Sequence, residues 1–71
     1  MSQSNRKTLI KRREVLARTA LANSTLYRLM KDGTFPQSVQ IGPRSVAWVE
    51  DEIDQWIQQR IESAQQQKGA A

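Results

Sequence analysis

The sequence predicts a mainly α-helical fold with a small β-hairpin, in the order short strand, helix, helix, hairpin, helix. Three patterns carry that expectation. Two short stretches with helical apolar spacing stand close together between Arg12 and Asp32. Two alternating runs, Val39-Gln40-Ile41 and Val46-Ala47-Trp48, flank Gly42-Pro43-Arg44-Ser45. After Glu50, Ile53, Trp56, Ile57, Arg60 and Ile61 recur at i, i+3, i+4, i+7 and i+8.

Each element has its own local reason. Thr8-Leu9-Ile10 is a short β-favouring run. From Arg12 to about Thr19, Val15, Leu16 and Thr19 share one helical face, while Arg13, Glu14, Ala17 and Arg18 point elsewhere. Ala20-Leu21-Ala22 is the expected turn, with Leu21 plugging the core. Ser24 to Asp32 is the second helix, with Leu26, Leu29 and Met30 as its apolar stripe and Gly33 as its stop. Phe35-Pro36 then starts an extended segment. The two alternating runs form a hairpin whose expected inner face is Val39, Ile41, Val46 and Trp48. Glu50, Asp51 and Glu52 fill the first turn of the third helix, where free N–H groups and the helix dipole favour negative charge.

The 71 residues make one small domain, expected to span 8–62. Residues 1–7 lack an apolar anchor and are expected to be a disordered basic N-terminus. Residues 63–71 are expected to be a disordered, low-complexity tail. Met1 to Lys7 is polar and unlike a signal peptide, and no apolar run is long enough for a bilayer. A cytoplasmic, nucleoid-associated protein with no membrane contact is expected.

Composition removes several chemistries. With no Cys and no His there is no disulfide framework, zinc-thiolate site, thiol nucleophile or imidazole base. The cluster Glu50-Asp51-Glu52-Asp54 suits a helix N-terminus better than a metal-dependent nuclease, since no second carboxylate cluster or glycine-rich phosphate loop accompanies it. Neither catalytic residues, metal ligands nor a cofactor is expected. Trp48, Trp56 and Phe35 alternate with core isoleucines, so they read as core and not as stacking platforms for single strands.

Charge is divided along the chain. Arg6 to Val49 holds nine cations against two acids, whereas Glu50 to Glu62 holds one cation against five acids. Such asymmetry suits one face for a polyanion and another for water or a protein partner.

Two short helices joined by a tight turn, then a hairpin, make a winged helix-turn-helix, whose second helix lies in the major groove. The outer side of that helix offers Ser24, Thr25, Tyr27, Arg28 and Lys31, with Asn23 at its start. Hydroxyls and N–H groups at the N-terminal turn can meet phosphates or base edges. Arg28 could bind a guanine bidentately, and Lys31 is better placed for backbone. Arg44, with Ser45, stands at the wing, within reach of a phosphate or the minor groove. Lys11, Arg12 and Arg13 open the first helix against its dipole, so helix stability does not explain them. With Arg18 they are the candidate contacts to the DNA backbone.

The stretch from Leu9 to Arg60 resembles the AlpA-like family of small prophage regulators. The marks are Glu14-Val15-Leu16, Ser24-Thr25-Leu26-Tyr27-Arg28-Leu29, Gly33-x-Phe35-Pro36, Ile41-Gly42-x-Arg44, and Trp48 followed by Glu52-Ile53-x-x-Trp56-Ile57. The resemblance implies a winged helix-turn-helix related to MerR-type DNA-binding domains and phage excisionases, without catalysis or cofactor. It places Ser24, Thr25, Tyr27 and Arg28 in the recognition helix and Arg44 in the wing. Family members commonly carry Gly-Leu-Ser before this helix, where Ala20-Leu21-Ala22 stands here. Either Asn23 or Ser24 is then expected to cap the helix, or its first turn is looser.

The expected function is sequence-specific double-stranded DNA binding for a prophage or integrative element. The leading reading is a recombination directionality factor, an excisionase that bends attachment-site DNA and assists integrase. The alternative is a transcriptional regulator of an integrase promoter, working with RNA polymerase. A minor alternative is a protein-interaction module that uses the acidic third helix. Head-to-tail self-association on DNA would supply the specificity that one small domain lacks.

Overall fold

The computed structural model describes residues 7–70. Its elements are β1 (Leu9–Ile10), α1 (Arg12–Thr19), α2 (Asn23–Asp32), β2 (Val39–Gly42), β3 (Ser45–Val49) and α3 (Glu50–Ala70). This is a winged helix-turn-helix: α1 and α2 with their turn, then a hairpin wing, then a closing helix. Among the described residues no helix is long and apolar enough to cross a membrane.

The turn between α1 and α2 depends on Ala20, which adopts a left-handed conformation with φ 63° and donates its N–H to Leu16 O at 2.8 Å. Thr19 Oγ1 donates to Val15 O at 2.8 Å and accepts from the Leu21 N–H at 3.4 Å. The far end of α2 closes on Gly33, whose φ of 80° suits glycine. The Gly33 N–H reaches Met30 O and the Thr34 N–H reaches Leu29 O, a Schellman ending.

The sheet has the order β1-β3-β2, all antiparallel. Leu9 faces Val49 and Ile10 faces Trp48 across the first pair. In the second pair Val39 faces Ala47, Gln40 faces Val46 and Gly42 faces Ser45, with a bulge at Ile41. That bulge corrects the expected inner face. A regular hairpin continuing from Gly42–Ser45 would set Ile41 opposite Val46 and Val39 opposite Trp48. The extra residue slips the register by one, so Val39 shares a face with Ala47 and no longer with Trp48, while Val46 stays on the Trp48 face. Trp48 and Ala47 are buried, whereas Val39, Ile41 and Val46 are 42%, 46% and 37% exposed.

The core joins Ile10, Val15, Leu26, Phe35, Trp48 and Ile53, with Leu16, Leu21, Leu29, Met30, Trp56 and Ile57 packed around it. Both indoles hold the loop between α2 and β2. Trp48 Nε1 donates to Pro36 O at 3.1 Å and Trp56 Nε1 to Thr34 O at 2.9 Å. Phe35 and Trp56 meet edge to face at 4.8 Å between centroids. The Arg60 guanidinium lies over the Trp56 ring, 5.1 Å from its centroid.

The apolar stripe of α3 leaves the core after Ile57, and Ile61 is 45% exposed. The helix does not stop near Glu62 but continues to Ala70. Ser63 to Lys68 contains no proline or β-branched residue, so nothing local ends it. Residues 1–6 of the expected disordered N-terminus lie outside the described residues. Lys7 Nζ stands 3.5 Å from Asp51 Oδ2.

Candidate functional site

Strand pairing assembles the site. Because β1 runs antiparallel to β3 with Ile10 opposite Trp48, the chain leaves β1 heading toward the wing tip. Lys11, extended at φ −81° and ψ 167°, and the first residues of α1 therefore arrive beside Arg44. The result is a cleft of about 430 Å³ lined by Lys11, Arg12, Arg13, Tyr27, Arg44, Ser45 and Val46. Three separate elements thus contribute four cations and one aromatic ring to one concavity.

None of these four cations makes an ion pair with a carboxylate among the described residues. Their field is therefore not cancelled locally, and a cation-walled concavity raises the local concentration of an anion. A larger groove of about 940 Å³ lies between the loop after α2 and α3, and Glu52 is its lone charged lining residue. Electrostatics therefore singles out the smaller cleft.

The outer side of α2 continues from this cleft through Tyr27, which is 43% exposed. Asn23, Ser24, Arg28 and Lys31 are exposed on this helix, while Thr25 is half-buried. The capping expectation is corrected: Ala22, extended at φ −78° and ψ 157°, occupies the N-cap and makes no side-chain hydrogen bond. Asn23 and Ser24 are instead the first two helical residues. The first internal bond runs from the Leu26 N–H to Ala22 O at 3.0 Å. The first-turn N–H groups of α2 are left without a capping side chain.

Arg18 is placed differently from the other candidate backbone contacts. Its Nε lies 2.8 Å from Glu14 Oε2, and its Nη1 lies 2.9 Å from Glu50 Oε2 and 3.7 Å from Asp54 Oδ1. Hydrogen bonds to Glu14 and then Glu50 raise its pKa above the ordinary guanidinium value. Arg18 fastens α1 to the acidic start of α3 and does not line the cleft. Glu14 is its i,i+4 neighbour, whereas Glu50 and Asp54 come from a distant segment, which linear charge spacing does not reveal. Val46 is the lining residue that sequence reasoning missed, because alternation with Trp48 assigned it to the core.

The fold and this cleft define a small winged helix-turn-helix protein with an anion-attracting face. Residues 8–61 match the family described as Prophage CP4-57 regulatory protein (AlpA), and the chain belongs to that family. It is 40% identical over 48 residues to the uncharacterized protein ORF88 of Enterobacteria phage P4, covering 68% of this chain and 54% of that protein. It is 38% identical over 52 residues to the DNA-binding transcriptional activator AlpA of Escherichia coli K12, covering 65% of this chain and 74% of that protein.

Proposed function

We propose that this chain is a sequence-specific, double-stranded DNA-binding regulator of a prophage or integrative element. The observation that carries the reading is the convergence of Lys11, Arg12, Arg13 and Arg44 on one cleft beside the exposed side of α2. In this reading α2 enters the major groove. Asn23, Ser24, Thr25, Tyr27 and Arg28 face base edges or nearby phosphates, and Lys31 the backbone. Arg44 and Ser45 bring the wing to the neighbouring phosphates or minor groove. Lys11, Arg12 and Arg13 neutralise backbone charge. The role requires no catalytic step from the chain.

Two outputs share this machinery. Transcription control of an integrase promoter, with RNA polymerase as partner, is favoured by the E. coli relative described as a transcriptional activator. A directionality factor would bend attachment-site DNA and assist integrase, with copies placed head to tail. The small basic domain supports that second use. Footprinting across the flanking DNA of the native element tests both. Protection over a promoter is expected for the first and over the attachment site for the second. No protection at low salt would overturn the DNA reading.

A further inference from the structure

The cleft that gathers the cations also has an apolar wall. Val46 lines it from β3 and Tyr27 from α2, and both side chains keep exposed surface there. Val46 pairs with Gln40 across the hairpin and stays 37% exposed, although Ala47 and Trp48 beside it are buried. A site for phosphate alone needs cations and hydrogen-bond donors, not an aliphatic side chain. The backbone of duplex DNA alternates the two chemistries: each charged phosphate is followed by a deoxyribose with a C2′ methylene.

The geometry points to Val46, with the Tyr27 ring, as a contact for deoxyribose that discriminates against the 2′-hydroxyl of a ribonucleotide. This rests on the duplex-DNA reading above. The occupant is one sugar–phosphate strand, the strand separating the groove that receives α2 from the groove beside the wing. Arg44 and the Lys11–Arg13 cations hold its phosphates, and the Val46–Tyr27 wall covers a sugar between them. A 2′-hydroxyl at that sugar would be desolvated against valine with no hydrogen-bond partner. The hydroxyl is what allows a protein to tell RNA from DNA at a given nucleotide.

The test uses the full chain and a fluorescent duplex carrying the footprinted sequence, with single ribonucleotides placed one at a time along each strand. The parent protein should lose about fivefold in affinity at one or two neighbouring sugars on one strand, and little elsewhere. Val46→Thr, which supplies a hydroxyl at similar size, should reduce that penalty to less than about twofold. Tyr27→Phe keeps the ring and should keep the penalty. A flat ribonucleotide scan with normal affinity for the all-DNA duplex would overturn this inference and leave the DNA reading intact. So would an unchanged penalty in Val46→Thr, or a penalty abolished by Tyr27→Phe. Failure to bind the all-DNA duplex would remove both. The scan on the parent protein decides the matter even if Val46→Thr folds poorly.

Discussion

Arg18 Nη1 lies 2.9 Å from Glu50 Oε2, and this pair ties the helix-turn-helix to the first turn of α3. Glu14 and Asp54 complete the cluster, so one guanidinium serves three carboxylates from two helices. The acidic start of α3 is therefore partly occupied within the molecule, through Glu50 and Asp54.

Arg18→Gln is expected to lower the melting temperature, and the gap to the parent should narrow as salt is added, because exposed pairs are screened. Since the Arg18 pKa is raised, its contribution is complete below the ordinary guanidinium value. It is lost only as pH rises through the still higher folded value. Melting curves across the neutral range should show no loss from deprotonation of this group. DNA affinity of the folded variant should stay close to that of the parent, which a binding titration measures.

Trp48→Ala should leave little folded protein. Trp48 is fully buried and its indole nitrogen holds Pro36 O. Deleting a buried aromatic costs about 3–5 kcal/mol, much of the stability of so small a domain. Trp56→Phe removes the bond to Thr34 O at a half-buried position and should cost only about 1 kcal/mol. Urea denaturation followed by circular dichroism separates the two.

Ala20 and Gly33 offer a matched pair. Ala20 holds φ 63° and pays the left-handed penalty of an L-residue, so Ala20→Gly should stabilise by about 1 kcal/mol. Gly33 holds φ 80° with nothing within 4 Å of an added Cβ, so Gly33→Ala should destabilise by about 1 kcal/mol through backbone strain alone. Denaturation midpoints moving the same way for both would contradict this assignment.

Ala22→Ser should supply the missing cap of α2 and add about 1 kcal/mol of stability. Thermal melting measures it. The gain should come without a change in helix boundaries, since Ala22 already has the extended conformation of an N-cap.

Arg44→Ala and Arg28→Ala should differ in kind. Arg44→Ala is expected to weaken binding to all duplexes alike and to reduce the salt slope by about 1, as for a lost phosphate contact. Arg28→Ala is expected to cost about 1–3 kcal/mol on the preferred sequence and to relax specificity at one position. Titrations on matched and mutated sites at several salt concentrations distinguish them.

Much of the fold is legible along the chain. The boundaries of α1, the Gly33 stop, the Pro43-Arg44 tip and the start of α3 at Glu50 follow from local spacing and backbone preference. Leu26, Trp48 and Ile53 are buried, as their periodicity and size predict. The resemblance to the prophage-regulator family was readable in the same residues. Periodicity misled at the hairpin, where Val39, Ile41 and Val46 alternate like core residues and lie exposed.

Local pattern was enough to name the helices, the wing and the cationic residues, because propensity and amphipathicity act over a few neighbouring positions. Folding in three dimensions set the rest. The Ile41 bulge chose the register, pairing of β1 with β3 carried Lys11–Arg13 to Arg44, and Arg18 turned to Glu50. The β1–β3 pairing and the Arg18–Glu50 pair join segments far apart in the chain, which no short window of residues contains, and the bulge is set by cross-strand hydrogen bonds, which apolar alternation does not report.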